Sequence, residues 1–160
     1  MNELAITFEL NGERRSAIVA GKTLLIDYLR DSEQLKGAKI GCSRGVCGSC
    51  TVLIDGIPIA ACSKFAFQID GAAVTTIEGL ANGSGLDPVQ QAFVDNAAFQ
   101  CGYCTAGMIL ITRALLTRHA DPDRDTIVDW ISSNVCRCAG YMQIIVAVQD
   151  AAQRLRDANR

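Results

Sequence analysis

Hydrophobic and polar positions follow two different periods along this chain, and the change falls near residue 80. Residues 4 to 10, LAITFEL, alternate loosely, and Asn11-Gly12 then leads into ERRSAIVA. Asn and Gly accept the positive φ angles of a tight strand-joining turn, so a hairpin is predicted. KTLLIDYLRD reads as a short helix capped by Thr23, with Leu25, Tyr28 and Leu29 on one face. A strand TVLI, a turn at Asp55-Gly56, a second strand through IPIAACS and a last short AVTTI complete an α+β unit. From Pro88 the period becomes helical. Val89, Ala92, Phe93 and Ala97 share one stripe; Met108, Ile111 and Leu115 a second; Ile127, Trp130 and Ile131 a third; Ile144, Val148, Ala151, Ala152 and Leu155 a fourth. Four helices imply a small bundle. The Gly-rich join EGLANGSGLDP places a boundary between residues 1–79 and 80–160.

Composition narrows the function. With 160 residues, 49% of them hydrophobic, the chain can fill real cores without disulfide staples. The net charge of −2, from 15 basic and 17 acidic residues mixed along the sequence, offers no basic face to a nucleic acid. No apolar run reaches the length needed to span a bilayer, and MNELAITFEL has neither the basic nor the apolar region of an export leader, so a cytoplasmic chain without membrane insertion is expected. A mean hydropathy of +0.20 points to surface covered by another subunit.

The eight cysteines divide along the same line, four in each unit. The first set is Cys42-x4-Cys47-x2-Cys50, with Cys62 further on; the x4, x2 spacing is that of plant-type 2Fe-2S ferredoxins, although the fourth cysteine lies much closer here. The second set is Cys101-x2-Cys104 with Cys136-x-Cys138, each pair at a predicted junction of helix and loop. Glycines crowd both sets: Gly41, Gly45 and Gly48 at the first, Gly102, Gly107 and Gly140 at the second. They are expected to let backbone N–H groups turn through positive φ and approach the electron-rich sulfurs of a cluster. A disulfide framework does not suit a chain with a full apolar core and no leader, and zinc more often takes knuckle pairs with histidine, of which there is one. That residue, His119, is read as a helix-end group meeting the last carbonyls, Trp130 as core, and Asp121 and Asp123 as N-caps. The NGSG stretch at 82–85 does not follow a strand and open a helix, which argues against a phosphate loop. No nucleophile–base pair or carboxylate pair emerges, so the chemistry on offer is one-electron storage, twice.

At GCSRGVCGSCTVLIDG, QCGYCTAGM and NVCRCAGY the sequence closely resembles the iron-sulfur small subunit of the molybdenum hydroxylases, the xanthine dehydrogenase, aldehyde oxidoreductase and carbon monoxide dehydrogenase type. The resemblance runs from about residue 4 to about residue 155. It implies an N-terminal β-grasp, plant-type ferredoxin domain followed by a C-terminal four-helix 2Fe-2S domain. It implies that Cys42, Cys47, Cys50 and Cys62 hold the cluster nearer a flavin, and that Cys101, Cys104, Cys136 and Cys138 hold the one nearer molybdenum. It further implies that Gln100 and Cys138 approach the molybdenum pterin cofactor of a large subunit, that FAD sits in a medium subunit, and that the three chains form a heterotrimer or a dimer of heterotrimers. Gln100 alternatively caps the preceding helix or is solvated. One departure is CTAG where the family usually has CTPG: Ala106 stands where proline would begin a helix, so a less constrained turn without loss of function is expected. A free-standing two-cluster ferredoxin, or a metal-stabilised interaction module, is the alternative to an electron-transfer subunit.

Overall fold

A computed structural model describes residues 3–81, 83 and 85–158; Asn82 and Ser84 of the NGSG stretch lie outside the described residues. The first part of the chain builds a five-stranded sheet in the order β2-β1-β5-β3-β4. The strands are β1 (Glu3–Leu10), β2 (Glu13–Ala20), β3 (Thr51–Ile54), β4 (Ile57–Ala60) and β5 (Ala73–Thr75). The two hairpins turn where expected, with Asn11 and Gly12 at φ 52° and 84° and Asp55 and Gly56 at 51° and 76°. β5 closes the sheet by pairing parallel with β1 and antiparallel with β3. Asn11 ties this closure down, because its Oδ1 accepts from Thr76 N at 2.8 Å and its Nδ2 donates to Thr76 Oγ1 at 3.0 Å.

Alternation along β1 sends Ile6, Phe8 and Leu10 into a first core with Val52, Ile54 and Val74. The helical turn α1 (Leu25–Asp27), which widens into a π turn at Tyr28–Ser32, covers that core with Leu25, Ile26 and Leu29. The predicted face is right, but Thr23 does not cap it. Leu24 takes the cap position in extended geometry and forms an isolated bridge with Phe65, so that Thr23 O accepts from Ala66 N at 2.8 Å and Leu25 N donates to Lys64 O at 2.7 Å. Backbone pairing thus replaces a side-chain cap.

Four further helices follow: α2 (Pro88–Asp95), α3 (Thr105–Arg118), α4 (Arg124–Ile131) and α5 (Tyr141–Ala158). They enclose a second core that includes Phe93, Met108, Leu115, Ile127, Ile144 and Val148. Asp87 caps α2 by accepting from Val89 N, with Pro88 at the first helical position. The stripe of α2 ends before Ala97, which is exposed at φ 46°; the helix closes with Ala98 N donating to Phe93 O, and Ala98 is the buried residue. Asp123 caps α4 through Thr126 N at 2.8 Å, whereas Asp121 caps nothing and pairs with Arg156 at 2.5 Å. Trp130 is only half-buried. The His119 ring stands edge-on to it at 6.3 Å, and the Arg118 guanidinium lies 5.6 Å from its centre, so the imidazole meets an aromatic ring at the helix end.

α3 is buried without a break from Ala106 through Thr112, more than a single stripe provides. The cause is its position between the other helices and the sheet. β3 is buried on both faces: Val52 and Ile54 face the first core, while Leu53 turns to Leu110 and Ala114 of α3. That contact holds the helices on the sheet. Leu110→Ala should lower the unfolding free energy of the holo-chain by about 2–5 kcal/mol, as for other buried leucines, in urea titrations followed by circular dichroism.

Candidate functional site

The loop of residues 41–50 lies between the π turn and β3, and its backbone curls around sulfur. Ser43, Gly45 and Gly48 have φ of 54°, 70° and 70°. This winding aims three donors at one thiol: Arg44 N at 3.4 Å, Val46 N at 3.3 Å and Cys47 N at 3.4 Å from Cys42 Sγ, while the intervening Gly45 N reaches Cys62 Sγ at 3.2 Å. Cys62 arrives there because β4 stops at Ala60 and Ala61–Ser63 forms a 3-10 turn, so the strand predicted through Ser63 is shorter than expected. The N–H groups of Cys47, Arg44 and Val46 draw the Cys42 thiol down to about 6, favouring thiolate at neutral pH. Cys50 is buried at 2% exposure, and burial pushes its thiol up to about 11.

Gly41 does not have the positive φ expected of it. Its requirement is space, since a Cβ there would stand 2.8 Å from Cys47 Sγ. Gly48 needs both its left-handed conformation and its missing side chain, because a Cβ would overlap the Asn134 amide.

The second set of cysteines forms where two loops meet. Residues 96–104 join α2 to α3, and residues 132–140 join α4 to α5. Cys101 and Cys138 side chains interact with each other, as do Cys104 and Cys136, so the thiols stand in two neighbouring pairs. The Tyr103 N–H and the Cys138 side chain draw the exposed Cys101 thiol down; burial, then Cys136, pushes Cys104 up to about 12. Gly140 N donates to Cys136 Sγ at 3.4 Å. The Tyr141 hydroxyl accepts from Cys136 N at 2.9 Å and donates to Asn134 O at 3.2 Å, bracing the loop. Gln100 does not cap α2, whose end is closed by Asn96. It is exposed, and its Nε2 donates to Cys138 O at 3.2 Å, which brings together the two residues expected near a pterin. Gly107 departs from expectation: a Cβ on it would meet Gly48 O at 2.3 Å, so it serves the approach of the two halves and not the sulfurs of its own set.

Sequence reasoning missed the polar links across the junction. Val135 N donates to Cys47 O at 2.9 Å, and the Tyr103 hydroxyl donates to Ile40 O at 2.7 Å. The only signal for them was the adjacency of Val135 and Tyr103 to cysteines.

All eight thiols are free. A buried thiol with its proton affinity raised ionises readily only when a cation takes the proton's place, and sulfurs lined by N–H groups suit an anionic assembly. Each set therefore fits a 2Fe-2S cluster. Among the described residues, no helix is long and apolar enough to cross a membrane.

Two family models match, a 2Fe-2S iron-sulfur cluster binding domain over residues 26–100 and a 2Fe-2S binding domain over residues 76–149. The chain is 40% identical over 158 residues to the nicotine 6-hydroxylase small subunit of Paenarthrobacter nicotinovorans, covering 99% of this chain and 95% of that one. It is 43% identical to the nicotinate dehydrogenase small FeS subunit of Eubacterium barkeri, covering 96% and 98%. Among solved structures, quinoline 2-oxidoreductase from Pseudomonas putida 86 superposes with a TM-score of 0.92 at 41% identity, covering 97% of each chain.

Gly41→Ala tests the steric argument. The crowded Cys47 sulfur should be displaced and iron content should fall by the share of the N-terminal set, while the paramagnetic signal of the C-terminal set persists in the reduced protein.

Proposed function

Because the chain belongs to the iron-sulfur small subunits of the molybdenum hydroxylases, and so is an electron-transfer subunit of an oxidoreductase, we propose that it conducts electrons singly from a molybdenum pterin cofactor in a large subunit to FAD in a medium subunit. The order proposed is the C-terminal cluster first and the N-terminal cluster second. Cys101, Cys104, Cys136 and Cys138 would hold the first, and Cys42, Cys47, Cys50 and Cys62 the second. When bound, each 2Fe-2S cluster supplies a site that accepts and releases one electron.

The observation that carries this reading is that the segments bearing the two sets of four free thiols are joined directly by the Val135 N–H to Cys47 carbonyl hydrogen bond. Residues of this chain have three tasks in it. The N–H groups around Cys42 and Cys62 stabilise negative charge on sulfur; burial of Cys50 and Cys104 keeps water from the inner sulfurs; and the loop-to-loop hydrogen bond keeps the two carriers close. In the same reading residues 1–79 form a β-grasp ferredoxin-like domain and residues 80–160 a four-helix domain, which the two separate cores support.

Large apolar side chains are exposed on the loops of the second set, Phe99, Tyr103 and Val135, and Met142 is exposed on the first turn of α5. They favour an obligate subunit over a free ferredoxin, with the large subunit covering this end and the three chains assembling as a heterotrimer or its dimer. Gln100, presented beside Cys138, offers donor and acceptor to a pterin edge.

Two outcomes follow. In the assembled complex, Cys62→Ser should abolish or cripple the N-terminal cluster alone; substrate should still reduce molybdenum and the C-terminal cluster in rapid-mixing experiments, but flavin should be reduced far more slowly. Normal flavin reduction in a complex shown to lack that cluster refutes the order. Gln100→Ala should leave both cluster spectra nearly unchanged while weakening assembly with the large subunit or slowing reduction of the C-terminal cluster by substrate. Wild-type behaviour in both assays would leave Gln100 as a loop brace.

A further inference from the structure

Asn134 is 2% exposed, yet its Nδ2 has no hydrogen-bond partner among the described residues. A buried amide left unpaired is destabilising, and an apolar side chain of similar size would avoid that penalty. The reason for an amide here therefore lies in what it touches. A Cβ on Gly48 would stand 1.5 Å from Asn134 Oδ1, and a Cβ on Gly107 would stand 2.9 Å from Nδ2. The amide fills the space between the N-terminal cysteine loop and the start of α3. The nearby Gly48 carbonyl is already engaged by Thr51 N at 3.0 Å and Thr51 Oγ1 at 2.7 Å.

The backbone of Asn134 belongs to the other set. Its carbonyl accepts from the Tyr141 hydroxyl, which also accepts from Cys136 N, and the next residue, Val135, donates to Cys47 O. One residue is thus tied by its main chain to the loop of the C-terminal cysteines and pressed by its side chain against Gly48 in the loop of the N-terminal ones.

We propose that Asn134 is a positioning residue, an amide wedge that sets the separation and mutual orientation of the two cysteine loops and so the coupling between the clusters they hold. This rests on the reading of both sets as 2Fe-2S sites. Contacts of this kind couple their neighbours, so changing the wedge alters a property of the pair while each site stays intact.

The test uses the full chain purified with its partner subunits and reduced completely. Two nearby paramagnets split each other's resonance lines, and the splitting reports their distance and orientation. Asn134→Ala should retain iron for two clusters and both principal signals while losing part of the splitting between them. Unchanged splitting with both clusters full overturns the proposal. If the wild-type chain carries iron for one cluster only, the two-cluster reading fails instead.

Should Asn134→Ala lose a cluster, Asn134→Ser, which keeps a short polar side chain, carries the same test. A steric rescue supplies a second arm. Gly48→Ala should deplete the N-terminal cluster, and adding Asn134→Ala should restore part of it by removing the obstructing amide. Gly107→Ala meets the Gly48 backbone first and Asn134 only second, and should gain far less from the same addition. Failure of the Gly48→Ala rescue, or equal rescue of both, also overturns the proposal.

Discussion

The constraint on which the rest of this molecule depends is backbone-to-backbone approach at one junction. The Cys47 carbonyl accepts from Val135, and immediately beside it Gly48 and Gly107 leave no room for a side chain on either. Much of the remaining architecture serves that contact. β3 is apolar on both faces because α3 must rest on it through Leu53, Leu110 and Ala114. α3 in turn begins directly after Cys104, so the packing that docks the helices also presents one set of cysteines to the other. Arg154 joins Asp150 and Asp95, and Asn96 joins Asp150, so that the C-terminus of α2 is held to α5 at the start of the loop that carries Cys101.

Within each set the thiols are not equivalent. One is drawn toward thiolate by hydrogen-bond donors, the half-buried Cys42 in the first set and the exposed Cys101 in the second; one is buried and resists ionisation, Cys50 and Cys104. The two loops have unrelated conformations, yet they arrive at the same polarity, with donors outside and apolar packing within. Oriented N–H dipoles favour the thiolate at the outer sulfurs, whereas burial disfavours it at the inner ones until a cation replaces the proton.

The sequence was legible wherever one local rule decided the outcome. Asn11-Gly12 and Asp55-Gly56 can hardly be anything but tight turns, and the stripes of α4 and α5 point inward as their period dictates. The division of cysteines into two sets of four was likewise visible. What could not be read depended on a distant partner. Thr23 lost its capping role to a bridge with Phe65, Asp121 was taken by Arg156, and Gly107 answered to a carbonyl far away in the chain. Asn134 is the clearest case, since an asparagine two residues before a cysteine has the same local appearance whether it caps, solvates or wedges.

The position of β5 has a further consequence. It is a central strand, inserted between β1 and β3, yet it is formed by residues that come after all four cysteines of the first set. During synthesis the chain therefore presents Cys42 through Cys62 before its sheet can close, and the Val135 donor that covers Cys47 emerges later still. Synthesis from the amino terminus thus makes the first thiol set before the strand and the helix-bearing half that enclose it.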